Sequence, residues 1–308
     1  MLNYIIKIIL IAVIIFGCSA KSQKPMFVAT CQPVAYILQE LVKTRGTVVT
    51  LLPAGASPHT YSPVPSDIQK TSAAKGLIYI SENLDGWAAN IPSKAKIELF
   101  KLLPQEYILT FDGEHHSHSE HPSADSTSDT TKAKERIKLA NIDPHFWTDP
   151  MAVKALLPAL VDTLSKLDSE NADAYKVNAE LFAKKLDLID LQVRDIVKNI
   201  VGKPVFTFHP SFRYFLRRYN LGYAGSVEEA PGKEPSPRFV AEIVKKIHDS
   251  RTKGIFNEPQ LPSGFINMIA QEAKVNVFLL DPIGGSNNIS NYSDLILYNA
   301  RILKMALE

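Results

Sequence analysis

The stretch NADAYKVNAELFAKKLDLIDLQVRDIVKNI, residues 171–200, contains neither glycine nor proline, and its apolar residues Phe182, Leu186, Ile189, Val193, Ile196 and Ile200 step by four and three in turn. That alternation keeps one apolar stripe on one face of an α-helix. The segment is therefore expected to be a single amphipathic helix of roughly 40–45 Å, at about 1.5 Å per residue. A helix this long runs the length of a lobe and joins two lobes as a stiff strut. The alternative, a helix that pairs in a coiled coil, is opposed by Gly202 and Pro204, which stop the stripe after a few heptads.

On both sides of this helix, short apolar runs alternate with helical patterns. Strands are expected at 27–30, 47–51, 77–80 and 107–111 before it, and at 205–208, 222–225, 254–257 and 275–280 after it. Fully apolar strands alternating with helices belong to parallel sheets covered on both faces. The expected fold is α/β, with two similar lobes, each a four-stranded mainly parallel sheet flanked by helices, joined by one long rigid helix. The boundaries follow: an N-terminal lobe at 26–168, a linking helix at 169–200 and a C-terminal lobe at 201–308. Within the first lobe, 112–134 is polar and carries His115, His116, His118 and His121. It has too little apolar surface to offset its ordering entropy and is expected to be a disordered loop.

The 308 residues carry 34 basic and 32 acidic side chains, for a formal net charge of +2. No basic footprint for a phosphate backbone is present, so nucleic acid is not an expected partner. Lys7 precedes an apolar run at 8–16 that is too short to span a bilayer but suits a signal peptide, which predicts export. Ile15-Phe16-Gly17-Cys18 resembles a bacterial lipobox, with Phe16 bulkier than usual. The resemblance implies a lipoprotein signal peptide at 1–17, acylation of Cys18, a tether at 18–25, and a membrane-anchored lipoprotein on the extracytoplasmic side, in the periplasm or at the cell surface. An ordinary N-terminal membrane anchor is the alternative. Cys31 then has no disulfide partner and reads as a small buried hydrophobe.

Three histidines stand in constrained surroundings. His59 follows a strand in a loop stiffened by Pro53, Pro58, Pro63 and Pro65, before a helix that Ser66 could cap. His145 lies between Pro144 and Pro150, with Asp143 and Asp149 near enough to accept from its second ring nitrogen. His209 ends one strand and Asp281 follows another, at the strand termini where α/β sheets bind ligands. Taken singly, each could be an exposed polar side chain, a packed imidazole or a turn former. As a set at strand-to-helix junctions, two in each half of the chain, they suit one four-coordinate metal ion. Three nitrogens and one carboxylate favour Zn2+ over Mn2+ or Mg2+.

The stretches PHTYSPVPSD, DPHFWTDP, FTFHPSFRYF, IFNEPQ and LLDPIGG resemble the zinc- and manganese-binding solute receptors of bacterial ABC importers. The likeness runs across nearly all of the mature chain. It implies ligands at His59, His145, His209 and Asp281, with Glu258 close by. Histidine at the third position marks the zinc subgroup, whereas manganese receptors usually hold glutamate there. Ser62 departs from the pattern, since many relatives have glutamate after His-x-Tyr. The histidine-bearing loop resembles that of many zinc receptors, which implies weak capture of zinc. The function implied is non-enzymatic: a monomeric receptor delivering Zn2+ to an ABC permease and its cytoplasmic ATPase. A manganese receptor is the nearer alternative. A zinc hydrolase with Glu258 as general base is the more distant one, opposed by the absence of a His-Glu-x-x-His motif. Because imidazole must be neutral to bind, metal affinity is expected to fall as pH drops through about 6.5.

Overall fold

The structure, a computed structural model, describes residues 26–111, 141–227, 237–285 and 289–308. The expected signal peptide and tether with Cys18, and the loop with His115, His116, His118 and His121, lie outside the described residues.

The first lobe holds β1 (Met26–Ala29), α1 (Gln32–Val42), β2 (Thr47–Thr50), α2 (Pro65–Ala73), β3 (Gly76–Tyr79), α3 (Glu82–Asp85) and β4 (Lys96–Glu98). Two helices follow, α4 (Pro150–Leu167) and α5 (Ala172–Val197). The second lobe holds β5 (Pro204–Thr207), α6 (Arg213–Arg218), β6 (Gly222–Ser226), α7 (Pro237–Ser250), β7 (Gly254–Asn257), α8 (Ser263–Ala273), β8 (Asn276–Leu279) and α9 (Tyr292–Leu307). All strand pairs are parallel, in the orders β2-β1-β3-β4 and β6-β5-β7-β8, so the two sheets share one topology. In each sheet the connections reverse direction beside the first strand, which opens a crevice at the carboxyl ends of β1 and β3 or of β5 and β7.

Seven of the eight expected strands are present. The exception is 107–111, of which only Thr110 pairs, in an isolated antiparallel bridge to Ile142. The fourth strand is Lys96–Glu98 instead. Its signal is weak because it is three residues long with charged ends, and Glu98 reaches the interior only by pairing with Lys101 at 2.8 Å and Tyr79 at 3.1 Å. Residues 107–111 are apolar for another reason: they pack between the lobes, where Leu109 N–H donates to Tyr214 Oη at 2.9 Å.

The linking helix forms as its periodicity predicts. Single 3-10 turns at Ser169–Asn171 and Lys198–Ile200 extend α5 at both ends. Its buried stripe is Phe182, Leu186, Ile189, Val193, Val197 and Ile200, with Val197 taking the place expected for Ile196. This face packs on α1 and α4 from the first lobe and on α9 from the second. One apolar core therefore runs unbroken from Phe27 and Trp147 through α5 to Tyr292 and Leu303, and the strut cannot bend without opening it.

The stripe is interrupted once, at buried Asp190. Its carboxylate accepts from Arg194 Nε at 3.0 Å and from Arg218 Nε and Nη2, both at 2.9 Å, which hold its pKa below the usual range against the effect of burial. Arg218, on α6, thereby ties the second lobe to the strut. Arg218→Ala would leave a carboxylate buried without its main partner, so we expect a loss of about 2–3 kcal/mol in urea unfolding. A change below about 0.5 kcal/mol, the range of ordinary surface substitutions, would show that the pair does not couple lobe to helix.

Candidate metal centre

The two lobes present different crevices. In the first, the buried Asp85 carboxylate fills the crevice, accepting from Thr30 Oγ1 at 2.5 Å and from the Ile80 and Ser81 backbone N–H groups at 3.0 and 2.9 Å. Functional side chains of this lobe must therefore come from loops. In the second, His209 follows β5 and Glu258 follows β7, one on each side of the crevice.

His59 sits in the loop between β2 and α2. Trp87 Nε1 donates to Pro58 O at 2.9 Å, and the Tyr61 ring stacks edge-on against Trp87 at 5.1 Å. The helix after the loop is not capped by Ser66. Pro65 is its first residue, and Asp67 accepts from the Val64 N–H at 3.1 Å and from Tyr61 Oη at 2.6 Å. A serine directly after the first helical residue cannot reach back as a cap does, whereas the third residue can.

His145 precedes a 3-10 turn, Phe146–Thr148. Asp143 Oδ1 lies 2.8 Å from its Nδ1 and 3.0 Å from its backbone N. A carboxylate only accepts, so Nδ1 carries the proton and the Nε2 lone pair is left facing inward. Asp149 serves elsewhere, capping α4 by accepting from Met151 N–H at 2.8 Å. Trp147 spans the lobes: its Nε1 donates to Pro282 O at 2.8 Å, and its carbonyl accepts from Tyr292 Oη at 2.7 Å.

The three imidazoles converge. Their ring centroids are 4.9, 5.1 and 5.7 Å apart, and one nitrogen from each falls within a 4.8 Å span. His145 Nε2 and His209 Nε2 stand 3.3 Å apart. Two nitrogens bound about 2.0–2.1 Å from a tetrahedral zinc are about 3.3–3.4 Å apart, so this edge already has the right length. His59 Nε2 and His209 Nδ1 are buried without hydrogen-bond partners. The cavity between the rings is about 10 Å³, room for one small occupant, and is also lined by Trp147, Glu258 and Ile283.

Two carboxylates approach from the second lobe. Glu258 is buried on the cavity wall, and Ser211 Oγ donates to its Oε1 at 2.5 Å. Asp281 is fully buried below that wall and is not part of the three-histidine cluster. Its Oδ1 accepts from Gln260 Nε2 at 2.9 Å and from the Ile283 and Gly284 N–H groups at 3.1 and 2.8 Å. The turn requires glycine: Gly284 has φ +75°, and a Cβ there would stand 3.2 Å from the Tyr36 ring.

Arg213 and Tyr214 brace the candidate site with no signal in local sequence, because the residues of the His145 segment and its neighbours that they hold lie 70 or more positions away. Tyr214 Oη donates to Asp143 O at 3.2 Å. Arg213 stacks on Phe111 at 4.7 Å, donates to Thr110 O at 3.1 Å and approaches Asp143 Oδ2 at 3.9 Å. Both brace the His145 segment from the second lobe.

Burial, and then the positive charge a protonated His145 would bring, lower the pKa of His59 to about 3. His209 is lowered well below its usual value by burial and by its two imidazole neighbours. His59 and His209 are therefore neutral and able to ligate at pH values where exposed histidines are protonated. Linkage fixes the sign. Between about 6.5 and about 3 the unfolded chain protonates His59 while the folded chain does not, so stability is lost as pH falls through that window. In metal-free protein, His59→Asn should gain stability relative to the parent as pH falls from 7 to 4.5. A difference in Tm that stays constant with pH would refute the burial effect.

Residues 27–306 match the family model described as zinc-uptake complex component A, periplasmic. Among curated proteins, the chain is 27% identical to the zinc-binding protein AdcA of Streptococcus pyogenes serotype M3 over 265 residues, 85% of this chain and 51% of that protein. It is 32% identical to the high-affinity zinc uptake system protein ZnuA of Brucella abortus over 167 residues, 54% of this chain and 50% of that protein. The chain thus spans about half the length of the curated relatives it matches. Among solved structures, a Zn(II)-bound AdcAII variant of Streptococcus pneumoniae superposes with TM-score 0.75 at 23% identity, covering 93% of this chain and 99% of that one. A zinc-bound ZnuA deletion mutant gives 0.72 at 24%, covering 92% and 98%. These likenesses establish a shared fold, and the match over nearly the whole described chain establishes that it belongs to the ZnuA family of periplasmic zinc-uptake components.

Proposed function

We propose that the chain is an extracytoplasmic receptor that binds Zn2+ and delivers it to an ABC importer, a permease driven by a cytoplasmic ATPase. The supporting observation is the cluster of half-buried His59 with buried His145 and His209, with a 3.3 Å nitrogen–nitrogen edge around a cavity for one small occupant. His59 and His145 come from the first lobe and His209 from the second, so a bound ion ties the lobes together.

Asp281 is the proposed fourth ligand. It sits under the Pro282–Ile283 turn that walls the cavity, and one carboxylate would offset half of the ion's charge. Asp143 orients His145, and Glu258 and Gln260 supply polar wall. Three nitrogen ligands suit zinc and are poorer for Mn2+, which favours oxygen. Zinc is cargo here rather than a catalyst: a hydrolytic zinc needs an open position for water and substrate, and a cavity of about 10 Å³ behind Trp147 and Ile283 leaves room for neither.

Competition calorimetry should show zinc preferred over manganese, with tight binding lost in His209→Ala. Asp281→Asn should weaken zinc more than Glu258→Gln does. The reverse order would move the fourth ligand to Glu258, and manganese preference would refute the zinc assignment. Export with acylation at Cys18 is part of the same proposal. Labelled palmitate should enter the parent chain and not Cys18→Ala; label retained in the variant would exclude that anchor.

A further inference from the structure

Helix α5 carries a second stripe on the side away from the core. Val177, Leu181, Lys184, Leu188, Leu191, Asp195 and Lys198 step 4-3-4-3-4-3, the spacing of a two-helix seam. All seven are exposed, the four apolar ones at 56%, 50%, 61% and 62%. Scattered exposed leucines are ordinary, but a ladder at seam spacing is a contact surface. Beside it runs a groove of about 460 Å³ between α5 and α9, lined by Leu191, Gln192, Asp195, Ile196, Leu297 and Arg301.

We propose that this face pairs with the same face of a second copy, the two α5 helices running antiparallel about a two-fold axis that passes between Leu188 and Leu191. The spacing of the stripe is identical in both directions from that point. The axis therefore sets Leu188 against Leu191 of the partner subunit, and Lys184 against Asp195 of the partner subunit. Leu181 meets the aliphatic stem of Lys198 of the partner subunit. A parallel pairing would stack Lys184 on its own counterpart and Asp195 on its own counterpart, so charge selects the antiparallel arrangement. Lys184 has no ion-pair partner among the described residues. Asp195 has only an exposed intrahelical pair with Lys198 at 3.0 Å, which exchanges at little cost. The surface departs from the monomer expected from the family resemblance. A seam of one helix is smaller than the roughly 800 Å² per partner of a standard interface, so the dimer is weak and concentration-dependent.

Sedimentation equilibrium of the full chain, from micromolar to millimolar, should show reversible monomer–dimer exchange. Lys184→Asp and Asp195→Lys alone should each weaken it about tenfold, and the two reversals together should restore it. Leu188→Lys should abolish it, with zinc binding unchanged as a check that the lobes remain folded. A monomer at every concentration overturns the proposal. So does a dimer indifferent to both charge reversals, which another surface, such as the apolar run at 8–16, would have formed.

Discussion

The 3.3 Å gap between His145 Nε2 and His209 Nε2 joins residues 64 positions apart in different lobes, and it exists only because the lobes cannot drift. Helix α5 contributes one continuous apolar face to both of them. Trp147 closes the remaining distance, donating to Pro282 O and accepting from Tyr292 Oη. Tyr36 Oη adds a further tie by donating to Ile289 O at 2.8 Å. A ligand edge that must match a metal's coordination sphere to a few tenths of an ångström needs such a frame, since a loose hinge would spread the nitrogen positions over several ångströms.

The same frame buries polar atoms of the site without partners. His59 Nε2, His209 Nδ1 and Gln260 Oε1 are buried with no hydrogen-bond partner, and each such atom costs on the order of 1–3 kcal/mol. Burial also keeps His59 and His209 unprotonated, so their lone pairs are available to a cation. An ion held by the three imidazoles would satisfy His59 Nε2 and would stabilise the folded form by mass action. The second lobe lines its crevice with His209 and Glu258, while the first seals its own with Asp85. One topology used twice thus yields one candidate binding crevice and one structural plug.

Much of the fold was legible because burial leaves a periodic mark on local sequence. The 4-3 spacing between Phe182 and Ile200 predicts the strut, and apolar runs predict seven of the eight strands. The failures have local causes. Lys96–Glu98 is too short and too charged to show a period, whereas 107–111 owes its apolar character to an interface between lobes. Ser66 has a capping side chain at the wrong position, and Asp67 takes the role. The outer stripe of α5 is also written in the sequence, but only solvent exposure separates it from the core stripe.

For the site, the sequence by itself identified three histidines in stiff proline-bracketed or strand-terminal positions and placed Asp143 beside His145, because those constraints act within two or three residues. Only the tertiary structure decided that the three imidazoles meet and that Glu258 lines their cavity while Asp281 is held beneath it by Gln260 and the glycine turn. It alone brought Arg213 and Tyr214 across to brace the His145 segment. Periodicity and turn chemistry report how each residue faces its own element. Which elements face one another is settled by packing between residues far apart in the chain, and no local pattern records it.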